Sequence, residues 1–265
     1  MVQAPTVHGE GANIATVAIH PSAAGFDKAA GDYERGRPTY PPDAVRWLLD
    51  ALRLGPGATV VDLAAGTGKL TRLLLPTGAT VLAVEPVAGM REELRAVLAG
   101  VEVLDGTAER MPLTGRAADA VTVGQAFHWF SGHEALAEIH RVLRAGGRLG
   151  LIWNRRDLDQ PLQAEVHGLI NRHRRDTPAH VSGAWRRAFD ETDLFGPLVE
   201  ERFPMEQHLD VEGFVARGVS TSFIAQLPRA ERQRVQDDLR AIATRRREPL
   251  VLRYVTDCYW CEARP

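Results

Sequence analysis

Between residues 58 and 154, short apolar runs of strand length alternate with stretches whose apolar residues recur every three or four positions. The runs are "ATVVDLA", "TVLAVEP", "VEVLDG", "DAVTVGQ" and "RLGLIWN". Between them "KLTRLLLP", "MREELRAVLA" and "HEALAEIHRVLRAGG" read as helices, the last closed by Gly146-Gly147. Repeated strand–helix units with nearly continuous apolar strands predict a parallel sheet covered by helices on both faces, an α/β fold. Upstream, "FDKAAGDYERGRPTYPPDAVRWLLDAL" reads as two helices around an Arg37-Pro38 break. Pro42 suits the first turn of the second helix, and Val45, Leu48, Leu49 and Leu52 line one face of it.

After Asn154 the pattern changes. Leu162, Val166, Leu169 and Ile170 mark an amphipathic helix, followed by a Trp185/Phe189 segment and the strand-like alternation "LVEERFPMEQHL". Helical segments are expected at about 211–218 and 229–246, and "LVLRYVTDCYW" as a closing strand. Residues 1–25, rich in Gly, Ala and Pro, read as a loose segment.

Composition removes several function classes. With 265 residues, a formal net charge of −2 and no apolar run of bilayer length, the chain offers no broad attraction to nucleic acid and no membrane span. The first 25 residues lack a basic start with an apolar centre, so a cytoplasmic location is expected. Only Lys28 and Lys69 are lysines among 32 basic residues, a skew that reads as genome composition rather than as a binding adaptation. The arginine runs at 172–175 and 245–247 read as solvated helix faces, since no aromatics interleave with them. Cys258 and Cys261 make neither a disulfide framework nor a four-ligand zinc site, and no metal is expected.

The stretch "VVDLAAGTGKL" at Val60–Leu70 carries the candidate chemistry: a strand, an acid and a glycine-bearing turn before a helix. A triphosphate loop needs glycine five places before Gly68-Lys69, where Leu63 stands, and Ser or Thr after it, where Leu70 stands. The dinucleotide fingerprint is met by Gly66 and Gly68 but fails at Thr71. Acids at or near the strand ends, Asp62, Glu85, Asp105 and Glu109, would repel a pyrophosphate in the crevice where such sheets bind ligands. They suit a cationic ligand with ribose hydroxyls, and S-adenosylmethionine is one.

Across about Phe26–Asn154 the chain resembles a class I S-adenosylmethionine-dependent methyltransferase. "VVDLAAGTGKL" resembles the first motif, with Ala64 in place of its usual first glycine, and "VLAVEPVAGM" the second. "LDGTAERMPL" resembles the third, and "ADAVTVGQAFHWF" with "EIHRVLRAGGRLGLIWN" the later pair. "YERGRPTYP" and "QAFHWF" are similar to the small-molecule group around trans-aconitate methyltransferases. The resemblance implies a doubly wound, mostly parallel seven-stranded sheet with an antiparallel final strand and a helical cap. It also implies one domain over 26–265: a cofactor core to 154, cap helices and the sixth strand over 155–247, and a closing strand over 248–261.

Cofactor roles follow from the same resemblance. Asp62 and the backbone of Ala64, Ala65, Gly66 and Gly68 would border the methionine part, and Glu85 would accept bonds from the ribose hydroxyls. Pro86 and Met90 would flank the adenine, Thr107, Ala108 and Glu109 would meet its polar edge, and Gln125 would lie near the methionyl group. Tyr33 and Arg37 fall in a segment that closes over the cofactor, Arg37 as a partner for the methionine carboxylate or a substrate acid.

On the acceptor side, His128 is the candidate general base and Trp129 a candidate face for the sulfonium. Trp153, Asn154, Trp185 and Ser220–Ser222 are candidates for shaping the acceptor pocket. The acceptor is expected to be a small molecule, a carboxylic acid or a hydroxyl compound. Rival readings are an NAD-dependent oxidoreductase and a binding protein that keeps the cofactor pocket without turnover.

Overall fold

The computed structural model describes residues 36–265; the first of the two expected N-terminal helices, the loose 1–25 segment and Tyr33 lie outside them. The helix α1 (Pro42–Ala51) starts at proline as expected, and its Ala44 and Leu48 are fully packed. Seven strands follow: β1 (Thr59–Leu63), β2 (Thr80–Val84), β3 (Glu102–Leu104), β4 (Ala118–Gly124), β5 (Leu143–Arg156), β6 (Val199–Leu209) and β7 (Leu250–Glu262). They form one sheet in the order β3-β2-β1-β4-β5-β7-β6. The first five run parallel, and β7 lies antiparallel to both β5 and β6. This is the doubly wound, mostly parallel sheet with an antiparallel final strand. Chain order reverses at β1, whose neighbours are β2 and β4, and that switch point opens a crevice at the carboxyl ends of the strands.

The linking helices are α2 (Thr71–Leu74), a single turn extended by a tighter one over Leu75–Thr77, then α3 (Ala88–Val97) and α4 (Gly132–Val142). Helix α4 ends well before the Gly146-Gly147 stop read from the sequence. From Leu143 the chain is extended: Leu143 pairs with Ala118, and a register shift then sets Arg148 beside Ala120. Gly146, at φ 72°, turns the backbone inside that irregular stretch instead of closing a helix.

The cap consists of α5 (Pro161–Asn171), the short α6 (Arg187–Asp190), α7 (Val211–Val219), α8 (Ser222–Ala225) and α9 (Arg229–Thr244). Asp210 caps α7 by accepting from the Gly213 N–H at 2.7 Å. Val166 and Ile170 of α5, Phe214 of α7 and Leu239 of α9 pack on Leu252 and Tyr254 of β7, giving the cap its own apolar cluster. A second, larger cluster lies against the opposite part of the sheet, around Leu63, Val121, Leu149 and Phe127. Cys258 and Cys261 are buried free thiols on β7, and burial pushes both up to about 12. Among the described residues no helix is long and apolar enough to cross a membrane, and no group of side chains is arranged to hold a metal.

Candidate active site

A cavity of about 990 Å³ opens where the carboxyl ends of the central strands face the cap. Its sheet side is built from the turns that follow β1, β2, β3 and β4. Ala64 and Gly66 follow β1, Glu85, Pro86 and Met90 follow β2, and Thr107, Ala108 and Glu109 follow β3. Gln125 and His128 follow β4, and Arg37 reaches the wall from ahead of the first strand. Two non-glycine residues here hold left-handed backbone, Ala64 at φ 55° and Gln125 at φ 63°. Such conformations cost about 1–3 kcal/mol each and gather at ligand sites. Gln125 is fixed by its N–H, which donates to the Ile152 carbonyl at 2.9 Å.

Glu85 is 5% exposed, yet on the wall. The Gly66 N–H donates to its Oε2 at 2.9 Å and the Val87 N–H to its Oε1 at 2.8 Å. Burial raises its pKa, and the two backbone donors act against that rise. Each oxygen keeps acceptor capacity beyond its one backbone bond, so the carboxylate is held rigidly with room for two hydroxyl donors.

Asp62, Ala65 and Gly68 are not among the residues that line this cavity. Asp62 is 1% exposed; Thr71 Oγ1 donates to its Oδ2 at 2.6 Å and Thr122 Oγ1 to its Oδ1 at 3.2 Å. Burial lifts its carboxyl to about 7. It ties β1 to β4 and to the following helix rather than facing the cavity. Ala65 packs inward with Ala83, Leu94 and Val103. Gly68, at φ 85°, has no room for a side chain, since a Cβ there would lie 2.8 Å from Leu98 Cδ1 and 3.1 Å from Leu94 Cγ. Asp105 also leaves the crevice, paired at 3.0 Å with Arg91. Of the four acids read from the sequence, Glu85 and Glu109 line the cavity.

The donor set fits S-adenosylmethionine. A buried carboxylate, small residues on the first turn, and the flat Pro86 and thioether of Met90 offer ribose acceptors and apolar walls, with no guanidinium or ammonium among the turns after β1, β2 and β3 that line it.

The cap side has a different character. Trp153, Asn154, Arg155 and Arg156 come from β5, Arg174 and His180 from the segment after α5, and Arg217, Thr221 and Ser222 from around α7 and α8. Trp153, Asn154, Thr221 and Ser222 are on the cavity wall. Trp185 is behind the wall, packed 4.9 Å from Trp153 between ring centroids, and Ser220 uses its carbonyl to accept from Arg37 Nη2 at 3.0 Å. Arg156, Arg174, His180 and Arg217 were not read from the sequence as site residues. Arg174 belongs to the run expected to be a solvated face. The available signal was Arg155-Arg156 at the carboxyl end of an apolar strand, where ligands of such sheets bind.

Residues 61–151 match the methyltransferase domain family. An uncharacterized methyltransferase-like protein of Schizosaccharomyces pombe is 36% identical over 219 residues, 82% of this chain and 85% of that protein. The chain belongs to the S-adenosylmethionine-dependent methyltransferases. An uncharacterized methyltransferase of Mycobacterium bovis is 52% identical over 132 residues, about half of each chain. In fold, the chain is similar to an Anaeromyxobacter dehalogenans protein assigned as a candidate type II methyltransferase. Its TM-score is 0.63 at 24% identity, covering 86% of this chain and 97% of that one. The cofactor of this methyltransferase is therefore S-adenosylmethionine, and the dinucleotide alternative is set aside.

In this methyltransferase His128 sits in a defined protonation state. The Trp153 indole N–H, a donor only, points at His128 Nδ1 at 3.2 Å. Nδ1 is thus the acceptor nitrogen, and the neutral ring carries its proton on Nε2. Burial, then the charges of His180, Arg174 and Arg37, hold His128 down to about 3. His180 stacks on Trp153 at 4.3 Å and is held down to about 4, chiefly by burial, with Asp257 acting the other way. Neither imidazole is protonated near neutral pH.

Proposed function

We propose that this methyltransferase methylates an oxygen of a small anionic acceptor, a carboxylate, without a general base. The observation that carries this reading is the Trp153 N–H on His128 Nδ1: the one lone pair with which His128 would take a proton is already engaged. An acceptor hydroxyl would have to lose its proton to a base, whereas a carboxylate arrives ionised and attacks as it is. The arginines around the same wall favour an anion there, and the similarity of "YERGRPTYP" and "QAFHWF" to the trans-aconitate group agrees with an acid.

When bound, S-adenosylmethionine supplies an electrophilic methyl group on a sulfonium. Glu85 would accept from the ribose hydroxyls, Pro86 and Met90 would hold the adenine faces, and Thr107–Glu109 would meet its edge. Ala64, Gly66 and Gln125 would border the methionine part, and Trp129 would offer an aromatic face to the positive charge. His128 would act as a positioning donor, its Nε2–H free to meet the acceptor oxygen. Orientation of this kind supplies much of the rate, about 7–11 kcal/mol in favourable intramolecular cases.

The test is turnover of a panel of carboxylic acids with labelled methyl donor, from about pH 5.5 to 9, in the parent and in His128→Asn. Turnover is expected to be flat through the ordinary histidine range near about 6.5. The variant should lose less than about tenfold, at every pH alike, against about 10²–10⁴-fold for removal of a working base. A limb near neutral pH that disappears in the variant overturns the reading and makes the acceptor a hydroxyl.

A further inference from the structure

We infer that Arg156, Arg174 and Arg217 form a dianion-binding subsite at the cap end of the cavity, which holds the far end of the acceptor while the other end is methylated. The inference rests on the reading that the acceptor is a small anion, and adds that it carries a second, doubly charged terminus. A phosphate monoester and a pair of carboxylates share that chemistry.

The three guanidiniums come from three separate segments; Arg156 and Arg217 meet at the Tyr254 phenol, and Arg174 lines the same cavity close enough for its charge to act on Arg156. Arg156 ends β5 and pairs in register with Tyr254 of β7. Arg217 of α7 donates from Nε to Tyr254 Oη at 2.9 Å, its guanidinium 5.6 Å from the same ring. Arg174 lies over the Phe223 ring at 5.5 Å and donates to Asn171 Oδ1 at 2.6 Å. No carboxylate of the described residues pairs with any of the three: Gln163 Oε1 accepts from Arg156 Nη1 at 2.7 Å, and, against burial, the charges of Arg217 and Arg156 between them lower the pKa of the Tyr254 phenol.

Two donors in this cluster are buried and unsatisfied. Arg217 is 7% exposed, and its Nη1 has no hydrogen-bond partner; neither has Arg156 Nη2. Burial, then the charge on Arg217, lowers Arg156 to about 9, with Arg37 and Arg174 adding to the drop. It stays cationic at neutral pH. Charges of one sign gathered out of water without a counter-ion are strongly unfavourable. A structural ion-pair network would include acids, and the lining acids that follow Arg156 in the chain, Asp157 and Asp159, are instead joined to each other, the Asp159 N–H donating to Asp157 Oδ1 at 3.1 Å. An oxyanion with several acceptor atoms would satisfy the open donors and neutralise the cluster. Guanidinium forks suit carboxylate and phosphate geometry in particular.

The test measures binding of inorganic phosphate, succinate and butyrate by calorimetry, with the demethylated cofactor present, in the parent, Arg156→Gln and Arg217→Gln. Arg217→Lys is the charge-conserving control. Phosphate or succinate is expected to bind the parent at least about tenfold more tightly than butyrate. Each Gln variant should lose about tenfold to a hundredfold for the dianion, the worth of one charge-assisted contact. Affinity for the demethylated cofactor, unchanged in each variant, shows that the protein is folded, and Arg217→Lys should recover part of the loss. Tighter phosphate binding assigns a phosphate terminus, and tighter succinate binding a pair of carboxylates. Equal binding of all three anions, or Gln variants that bind like the parent, overturns the subsite. Methylation of monocarboxylic and dicarboxylic acids separates the two readings. If acids are methylated but the Gln variants keep the parent's preference between them, the subsite falls and the carboxylate reading stands. If dianion binding is lost in the variants while no acid is methylated, the subsite stands and the carboxylate reading falls.

Discussion

The two ends of one cavity are built by opposite means. At the sheet end, short turns after parallel strands present fixed backbone and one rigid acid, Glu85, whose two oxygens are each anchored by a backbone N–H. At the cap end, long arginine side chains from β5, α7 and the segment after α5 converge, and some of their donors have nothing to bond. The sheet end is organised before its ligand arrives. The cap end carries charge that a ligand must complete. The difference fits a cofactor held by the turns of the sheet and an acceptor recognised by the cap.

The largest effect should come from breaking the organised end. Glu85→Ala removes both prospective ribose contacts, each worth about 1.5–3 kcal/mol before compensation, and leaves the Gly66 and Val87 N–H groups without their acceptor. A loss of about 2–4 kcal/mol in affinity for the cofactor is expected by calorimetry, with less in Glu85→Gln, which still accepts one bond. Anion binding at the arginine end should change much less. If the Ala variant holds the cofactor as tightly as the parent, the ribose role belongs elsewhere.

Asp62 sharpens the same comparison, because it resembles Glu85 in sequence but not in place. As a buried tie between Thr71 and Thr122, it should affect stability more than cofactor binding. Its folded pKa is raised to about 7, so between about pH 3.9 and 7 the folded chain holds a proton that the unfolded chain has released. The contribution of this group is therefore present at low pH and is lost as pH rises through about 7. Asp62→Asn lacks that penalty, so urea unfolding should show its stability gaining on the parent as pH rises from about 5 to 8. Cofactor affinity should stay within about threefold, below about 0.7 kcal/mol. A loss above tenfold would instead make Asp62 a direct ligand.

How much of this was legible in the sequence follows from where the information lies. The strands and helices of the core follow from local apolar period, and the cofactor wall from contiguous motifs, because each turn after a strand carries its own ligand groups. What contiguous reading misses is what distant residues do to a group. Thr122, far along the chain, absorbs one oxygen of Asp62, and Arg91 draws Asp105 out of the crevice. The arginine subsite is assembled from positions 156, 174 and 217, whose neighbours in sequence give no shared pattern. An excess of arginine in the whole chain made each of them look ordinary. The early end of α4 was hidden for a related reason: Leu143 pairs with Ala118, a tertiary contact that overrides the local helical pattern.

The smallest expected effect is at Ala64, the position where the resembling motif has glycine. Its φ of 55° places an alanine in left-handed backbone, at a cost of about 1–2 kcal/mol relative to ordinary regions. Ala64→Gly relieves that strain but gives the unfolded chain more freedom, worth about 0.4–1 kcal/mol in the other direction. The balance is a stabilisation between about 0 and about 1.6 kcal/mol. Because the backbone at 64 already has the conformation a glycine would take, the wall should not move, and cofactor affinity should stay within about twofold, below about 0.4 kcal/mol. Urea unfolding and cofactor calorimetry on the one variant check both halves. A gain in stability accompanied by weaker cofactor binding would mean that the strained alanine, and not the glycine geometry, shapes the wall; destabilisation would mean that the alanine methyl packs against the site more than its backbone suffers.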